Sequence, residues 1–294
     1  MLTKMYGVVP PMVTPFDEKG SLDVAVLKEL VNYLSREVDG LFVTGSYGSG
    51  PLMSVEERAR VTQVAVQAVQ DRVPITAMVG TTNTGDTIEL ARRAEADGAA
   101  AVAAVGPYYF SHDDERLKHF YGSLIAAVDI PVYLYNNPKF QGYSIALETI
   151  SDLKGLGLSG VKDATFDILI HADYQRKLAD DNFDVALGTE ALWLPAHSLG
   201  CQSFIPGLGN AFPELCRDAH RTAMSGDLEA SRNYQFMLNE LREVMYLARS
   251  TQLAVYAMLE IRGIITAHPR APFLPASDTE KQAIREALER LDVI

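Results

Sequence analysis

IPVYLYN, residues 130–136, and LSGVKDA, residues 158–164, are apolar runs short enough to be single strands, and each carries polar residues at or next to its end. A run without polar alternation fits a strand covered on both faces, as in a parallel sheet wrapped by helices. Six further runs have the same form: GVVPPMVTPF (7–16), GLFVTG (40–45), PITAMVG (74–80), AAVAAVGP (100–107), FDVALG (183–188) and CQSFIPG (201–207). Their starts fall roughly 25 to 35 residues apart through the seventh run. Intervening segments such as Asp23 to Glu37, Ser54 to Gln70, Thr87 to Asp97 and Asp114 to Val128 carry helical periodicity. This βα beat predicts an α/β fold, a closed (β/α)8 TIM barrel rather than an open doubly wound sheet. No GxGxxG turn follows the first run, which weakens a dinucleotide-binding reading.

From Asp227 onward the strands stop, and helical patterns cover Asp227 to Ala248, Leu253 to Ala267 and Ser277 to Leu291. HPRAPFLPAS, residues 268–277, reads as the loop that turns the last helix back. The expected organisation is a catalytic barrel over residues 1–226 and a C-terminal helical extension over 227–294, packed on the barrel or on a neighbouring subunit.

The net charge of −12 comes from acids scattered along helical stretches, and no basic face is available for nucleic acid. An anionic substrate therefore needs local donors. Cys201 and Cys216 are the only cysteines, which argues against a disulfide framework and makes the cytoplasm the expected location. The opening MLTKMYGVVPPMVTPF lacks a charged head followed by a long apolar run, and reads as a first strand rather than a leader. No apolar stretch approaches the roughly 18 residues of a membrane helix, so no membrane partner is expected.

In a barrel of this kind chemistry belongs at the carboxyl ends of the strands. Lys162 ends the sixth run, where burial disfavours the ammonium and makes the amine a usable nucleophile. The competing reading is an ion pair with Asp163. Tyr135 ends the fifth run, and adjacent strands would bring its phenol towards Lys162 as a proton carrier. GSYGSG, residues 45–50, is a turn whose amides and Ser46 hydroxyl can hold a carboxylate, or is simply a strand-to-helix turn. Tyr108 and Tyr109 are open to a catalytic, a pocket-lining or an interface role. The six histidines are isolated and show no paired ligand spacing, so no metal is expected.

With GVVPPMVTPF, GSYG, PYY (107–109), YNNP (135–138) and GVKDAT (160–165) in this order, the chain resembles the dihydrodipicolinate synthase and N-acetylneuraminate lyase family of pyruvate-dependent class I aldolases. The resemblance runs from about Gly7 into the helical tail. It implies that Lys162 forms an imine with a 2-oxo acid, that Tyr135 shuttles protons, and that Ser46 and Tyr109 complete a relay, Tyr109 in a neighbour's site. It also implies a homotetramer built as a dimer of dimers, a backbone carbonyl of Ile205 facing the imine, and chemistry that needs no organic cofactor. Tyr47, Gly188 and Thr165 join Ile205 as the expected substrate-binding residues, while Thr165, Asp167, Thr189 and Glu190 are available to sugar hydroxyls.

Three departures from the family pattern matter. Tyr47 stands where members place a small hydroxyl residue, so backbone amides are expected to carry the substrate carboxylate. Ser49 replaces the glutamate that closes the turn. Phe140, preceded by Lys139, stands where the synthases carry an arginine for their aldehyde substrate, and phenylalanine offers no charge-assisted contact. The sequence therefore predicts a lyase, aldolase or dehydratase, of a small-molecule 2-oxo acid such as a 2-keto-3-deoxy sugar acid. A 4-hydroxy-tetrahydrodipicolinate synthase and a catalytically silent 2-oxo acid binding protein are the alternatives.

Overall fold

The computed structural model describes residues 4–294. The first three residues of the stretch read above for a leader lie outside the described residues. Eight strands follow in chain order: β1 (Gly7–Val8), β2 (Leu41–Val43), β3 (Ile75–Met78), β4 (Ala101–Val105), β5 (Val132–Asn136), β6 (Gly160–Asp163), β7 (Asp184–Leu187) and β8 (Ser203–Phe204). All pair in parallel, in the order β1-β8-β7-β6-β5-β4-β3-β2. The ring closes just after β1, where Pro11 bridges Phe42 and the Met12 amide donates to the Phe42 carbonyl at 2.9 Å. The architecture is the expected (β/α)8 barrel.

Helices α1 (Val24–Leu34), α2 (Val55–Val69), α3 (Thr84–Asp97), α4 (Asp114–Ile125), α5 (Pro138–Gln141), α6 (Leu147–Gly155), α7 (Ile168–Lys177), α8 (Trp193–Ser198) and α9 (Pro213–Ser225) accompany the strands. Side-chain oxygens cap many of them, with a reciprocal Ser54–Glu57 box opening α2 and Asp167 accepting from two amides at the start of α7. Three more helices follow: α10 (Leu228–Met245), α11 (Thr251–Ile261) and α12 (Asp278–Arg290). No helix among the described residues is long and apolar enough to cross a membrane.

Several elements are shorter than their sequence patterns, β1 and α11 among them. The first strand is confined to Gly7–Val8 because Pro10 and Pro11, which follow closely, have no N–H to donate to a ladder. Helix α11 stops at Ile261, with Gly263 in the left-handed conformation shortly beyond.

Alternation along the strands sorts side chains into two cores. Outward residues such as Val102, Leu134, Val161 and Val185 join the layer between sheet and helices. Inward residues form a separate cluster that includes Phe42, Ala103, Tyr133, Tyr135 and Ala186. Ala186 pairs directly with Lys162, and its small side chain leaves room beside a long one in the barrel interior. At the lower end of the barrel Tyr133 donates to Asp184 at 2.5 Å, which closes the floor.

Candidate active site

Lys162 on β6 and Tyr135 on β5 are direct partners across the ladder, and so are their neighbours Asp163 and Asn136. The first pair faces inward. The second faces out, where Asp163 accepts from the Thr165 amide and hydroxyl at 2.9 and 2.7 Å and meets His171 Nδ1 at 3.0 Å. A Lys162–Asp163 ion pair is therefore not formed: adjacent strand residues point to opposite faces.

Lys162 is 3 % exposed. Its Nζ lies 3.9 Å from the ring centroid of Phe42 and 4.0 Å from that of Tyr135, and it makes no salt bridge or hydrogen bond to a described residue. Ring faces favour a cation, but burial without a carboxylate costs more, and it lowers the pKa of Lys162 to about 7. A substantial fraction of free amine is thus present near neutrality.

The Tyr135 phenol accepts from the Asn137 side-chain amide at 2.9 Å. Burial raises its pKa, and the Asn137 amide and the Ser46 hydroxyl oppose that rise. The group keeps its proton until a base calls for it. Asn137 also caps α5, its side chain accepting from the Phe140 amide, so one residue fixes both the loop and the phenol. Sequence reading passed over Asn137, although an Asn before Pro is a familiar turn signal.

The turn after β2 is held from the C-terminal helices. Gln252 donates to the Tyr47 carbonyl at 2.9 Å and to the Ser49 hydroxyl at 2.6 Å, and the Tyr47 hydroxyl donates to Thr251 at 3.0 Å. Gln252 thus braces the turn where the family pattern has a glutamate. Gly207 lies so close under the Tyr47 ring that it has no room for a Cβ. The amides of Ser46 and Tyr47 donate to no acceptor among the described residues, which leaves them available to an anion.

These groups surround one cavity of about 140 Å³, lined by Ser46, Tyr47, Tyr135, Lys162, Gly188 and Ile205 among others. Its size is below the ~300 Å³ typical of drug-sized ligands and suits a short acyclic acid. A larger depression of about 430 Å³, lined by His112, Asp113, Arg116 and His119, is more open and lacks the strand-end groups.

Two expected residues are elsewhere. Thr165 does not line the cavity, because its hydroxyl is bonded to the outward-facing Asp163. Tyr109 is 87 % exposed, with a left-handed backbone (φ 81°), and does not line its own chain's cavity. Conversely, Arg242 on α10 does line it, paired with the buried Glu190 at 2.7 Å. Gln252 and Arg242 escaped sequence reading because they lie in the helical tail, far along the chain from any strand end.

Residues 4–291 match the model of the dihydrodipicolinate synthetase family. A 4-hydroxy-tetrahydrodipicolinate synthase of Bartonella quintana is 30% identical over 291 residues, 98% of each chain. Among solved structures, the prophage protein YagE of E. coli K12, of the dihydrodipicolinic acid synthase family and in complex with pyruvate, superposes with a TM-score of 0.95 at 25% identity, covering 99% of this chain and 100% of that one. KD(P)GA from T. tenax gives a TM-score of 0.89 at 29% identity, covering 98% of this chain and 99% of that one.

Proposed function

Because the chain belongs to the dihydrodipicolinate synthetase family of Schiff-base lyases, we propose that it cleaves or dehydrates a 2-oxo acid through an imine on Lys162. The observation that carries this reading is the buried Lys162 amine, free of any carboxylate and paired in register with Tyr135. The neutral amine adds to the C2 ketone, and the carbinolamine hydroxyl takes the phenol proton of Tyr135 and leaves as water, which gives a protonated imine and a Tyr135 phenolate ready to act as base. The positive nitrogen then accepts electrons from the adjacent carbon. In cleavage, Tyr135 removes the proton of the 4-hydroxyl, the C3–C4 bond breaks to an aldehyde and an enamine, and protonation at C3 with hydrolysis returns pyruvate and the amine. In dehydration, a C3 proton leaves and the C4 hydroxyl departs with a proton as water. Both reactions balance without an external oxidant or reductant.

The free amides of Ser46 and Tyr47 support carboxylate binding by the turn, with the Tyr47 ring closing one side of the cavity. Preferred substrates are 2-keto-3-deoxy sugar acids or related pyruvate-releasing acids. Synthase chemistry is the second reading, favoured by the names of relatives such as the Bartonella quintana enzyme. The absence of an arginine at Phe140 weighs against it. Incubation with a panel of 2-keto-3-deoxy sugar acids tests the assignment. Release of pyruvate identifies an aldolase, and formation of a dehydrated 2-oxo acid identifies a dehydratase. Turnover only of pyruvate with an aspartate-derived semialdehyde would replace both by the synthase reading.

The exposed Tyr109 leads us to propose that it acts in the site of a second copy of the chain, within a homotetramer, where it would join the relay of Ser46 and Tyr135.

A further inference from the structure

We propose that Arg242 reads the far end of the substrate, and that within the class of 2-oxo acids proposed above those carrying a second carboxylate are preferred. This inference rests on the imine-forming reading of the cavity. Arg242 Nη1 donates to Glu190 Oε1 at 2.7 Å, while the other oxygen of that carboxylate accepts from the Gly207 amide at 2.9 Å. Glu190 is 1 % exposed, so the arginine is held by a fixed, buried anchor. The rings of Phe166 and Tyr246 lie 5.3 and 5.6 Å from the guanidinium carbon and steady the group.

Only Nη1 is used in this way. Nε and Nη2 have no hydrogen-bond partner among the described residues, and neither is a buried orphan, so both reach solvent-accessible space. These two N–H groups form the edge of a guanidinium that meets a carboxylate with two parallel bonds. A lysine would be sufficient as a counterion for Glu190, but it would present no such edge.

Charge points the same way. Among the described residues lining the cavity, Lys139 and Arg242 are the cations apart from Lys162 and Glu190 is the only acid, which leaves +1. Formation of the protonated imine on Lys162 adds one more, giving +2. A 2-oxo acid with one carboxylate balances half of that charge, and one with two balances all of it. Phe140, on the short helix α5, offers no guanidinium, and Arg242 supplies one from α10.

The test compares 2-oxoglutarate with 2-oxopentanoate, acids of equal chain length that differ in the end group, by borohydride trapping read as intact mass. Pyruvate serves as the control for imine formation. The unmodified protein is expected to half-saturate at about ten-fold or more lower 2-oxoglutarate than 2-oxopentanoate, the value of a charge-assisted contact. That ratio should fall towards one in Arg242→Gln/Glu190→Gln, which removes both charges and strands no buried carboxylate. It should fall part of the way in Arg242→Lys. A ratio near one in the unmodified protein, or a ratio that survives the double substitution, overturns the inference while leaving the imine chemistry standing. Absence of an adduct with all three acids overturns the imine-forming reading, and this inference with it.

Discussion

Asp163 and His171 form a buried pair at 3.0 Å on the outer face of the strand whose inner face carries Lys162. Burial alone would lower the His171 pKa, but the hydrogen bond to Asp163, with the Cys201 sulfur nearby, prevails and raises it to about 9. A histidine whose folded pKa lies above its ordinary 6.5 adds stability that is fully present below that value. The contribution is lost as pH rises through about 9. Thermal unfolding across this window should show a decline that His171→Leu abolishes. At neutral pH that variant leaves Asp163 buried without its partner, and should lose ~3–5 kcal/mol of stability.

Lys162 has the opposite sign. Its folded pKa of about 7 lies below the ordinary 10.5, so between these values the unfolded chain binds a proton that the folded chain does not. The resulting penalty is complete below pH 7 and disappears above about 10.5. Lys162→Met should therefore be inactive yet more stable than the parent at pH 6, by on the order of 2 kcal/mol, with the gain shrinking as pH rises. Denaturant melts at pH 6 and pH 10 provide the comparison, and equal gains at both would contradict the burial argument.

Imine capture should follow the same amine. The initial rate of pyruvate capture is expected to increase with pH through about 7 and then level off. Rapid-quench trapping over pH 5.5 to 8.5 measures it, and a rise centred near the ordinary lysine range would show that the amine is not desolvated in solution.

Gln252 braces the turn that offers its amides to the substrate. Gln252→Ala should cost ~1 kcal/mol of stability through its lost hydrogen bonds. It should also raise the half-saturating pyruvate concentration several-fold, since the turn loses its support. An unchanged half-saturation would mean that the turn holds its shape without the C-terminal helices.

Tyr109→Phe removes one hydroxyl from an exposed side chain. Turnover should fall by about ten-fold or more while sedimentation shows the same assembly, as expected of a proton-relay group. Full activity would remove Tyr109 from the relay.

Much of this site was legible because βα repetition is a local property. LSGVKDA and IPVYLYN announce buried strands by composition alone, and parallel pairing then puts Lys162 beside Tyr135. What could not be read depended on which side of a strand a residue takes, or on packing between distant segments. Thr165 follows the lysine closely but is drawn to Asp163 on the outer face. Arg242 and Gln252 sit on helices whose amphipathic pattern records a buried stripe without naming what it packs against. The prolines after Val9 were visible in GVVPP, but how far they would shorten β1 depended on which ladder amides the ring required.

Whether Lys162 forms the imine is decided by borohydride reduction in the presence of pyruvate, followed by intact mass and peptide mapping. One reduced pyruvate adduct per chain is expected, on Lys162, and none in Lys162→Ala. An adduct on another lysine such as Lys139, or no adduct with any 2-oxo acid at saturating concentration, would contradict the assignment of the imine to Lys162.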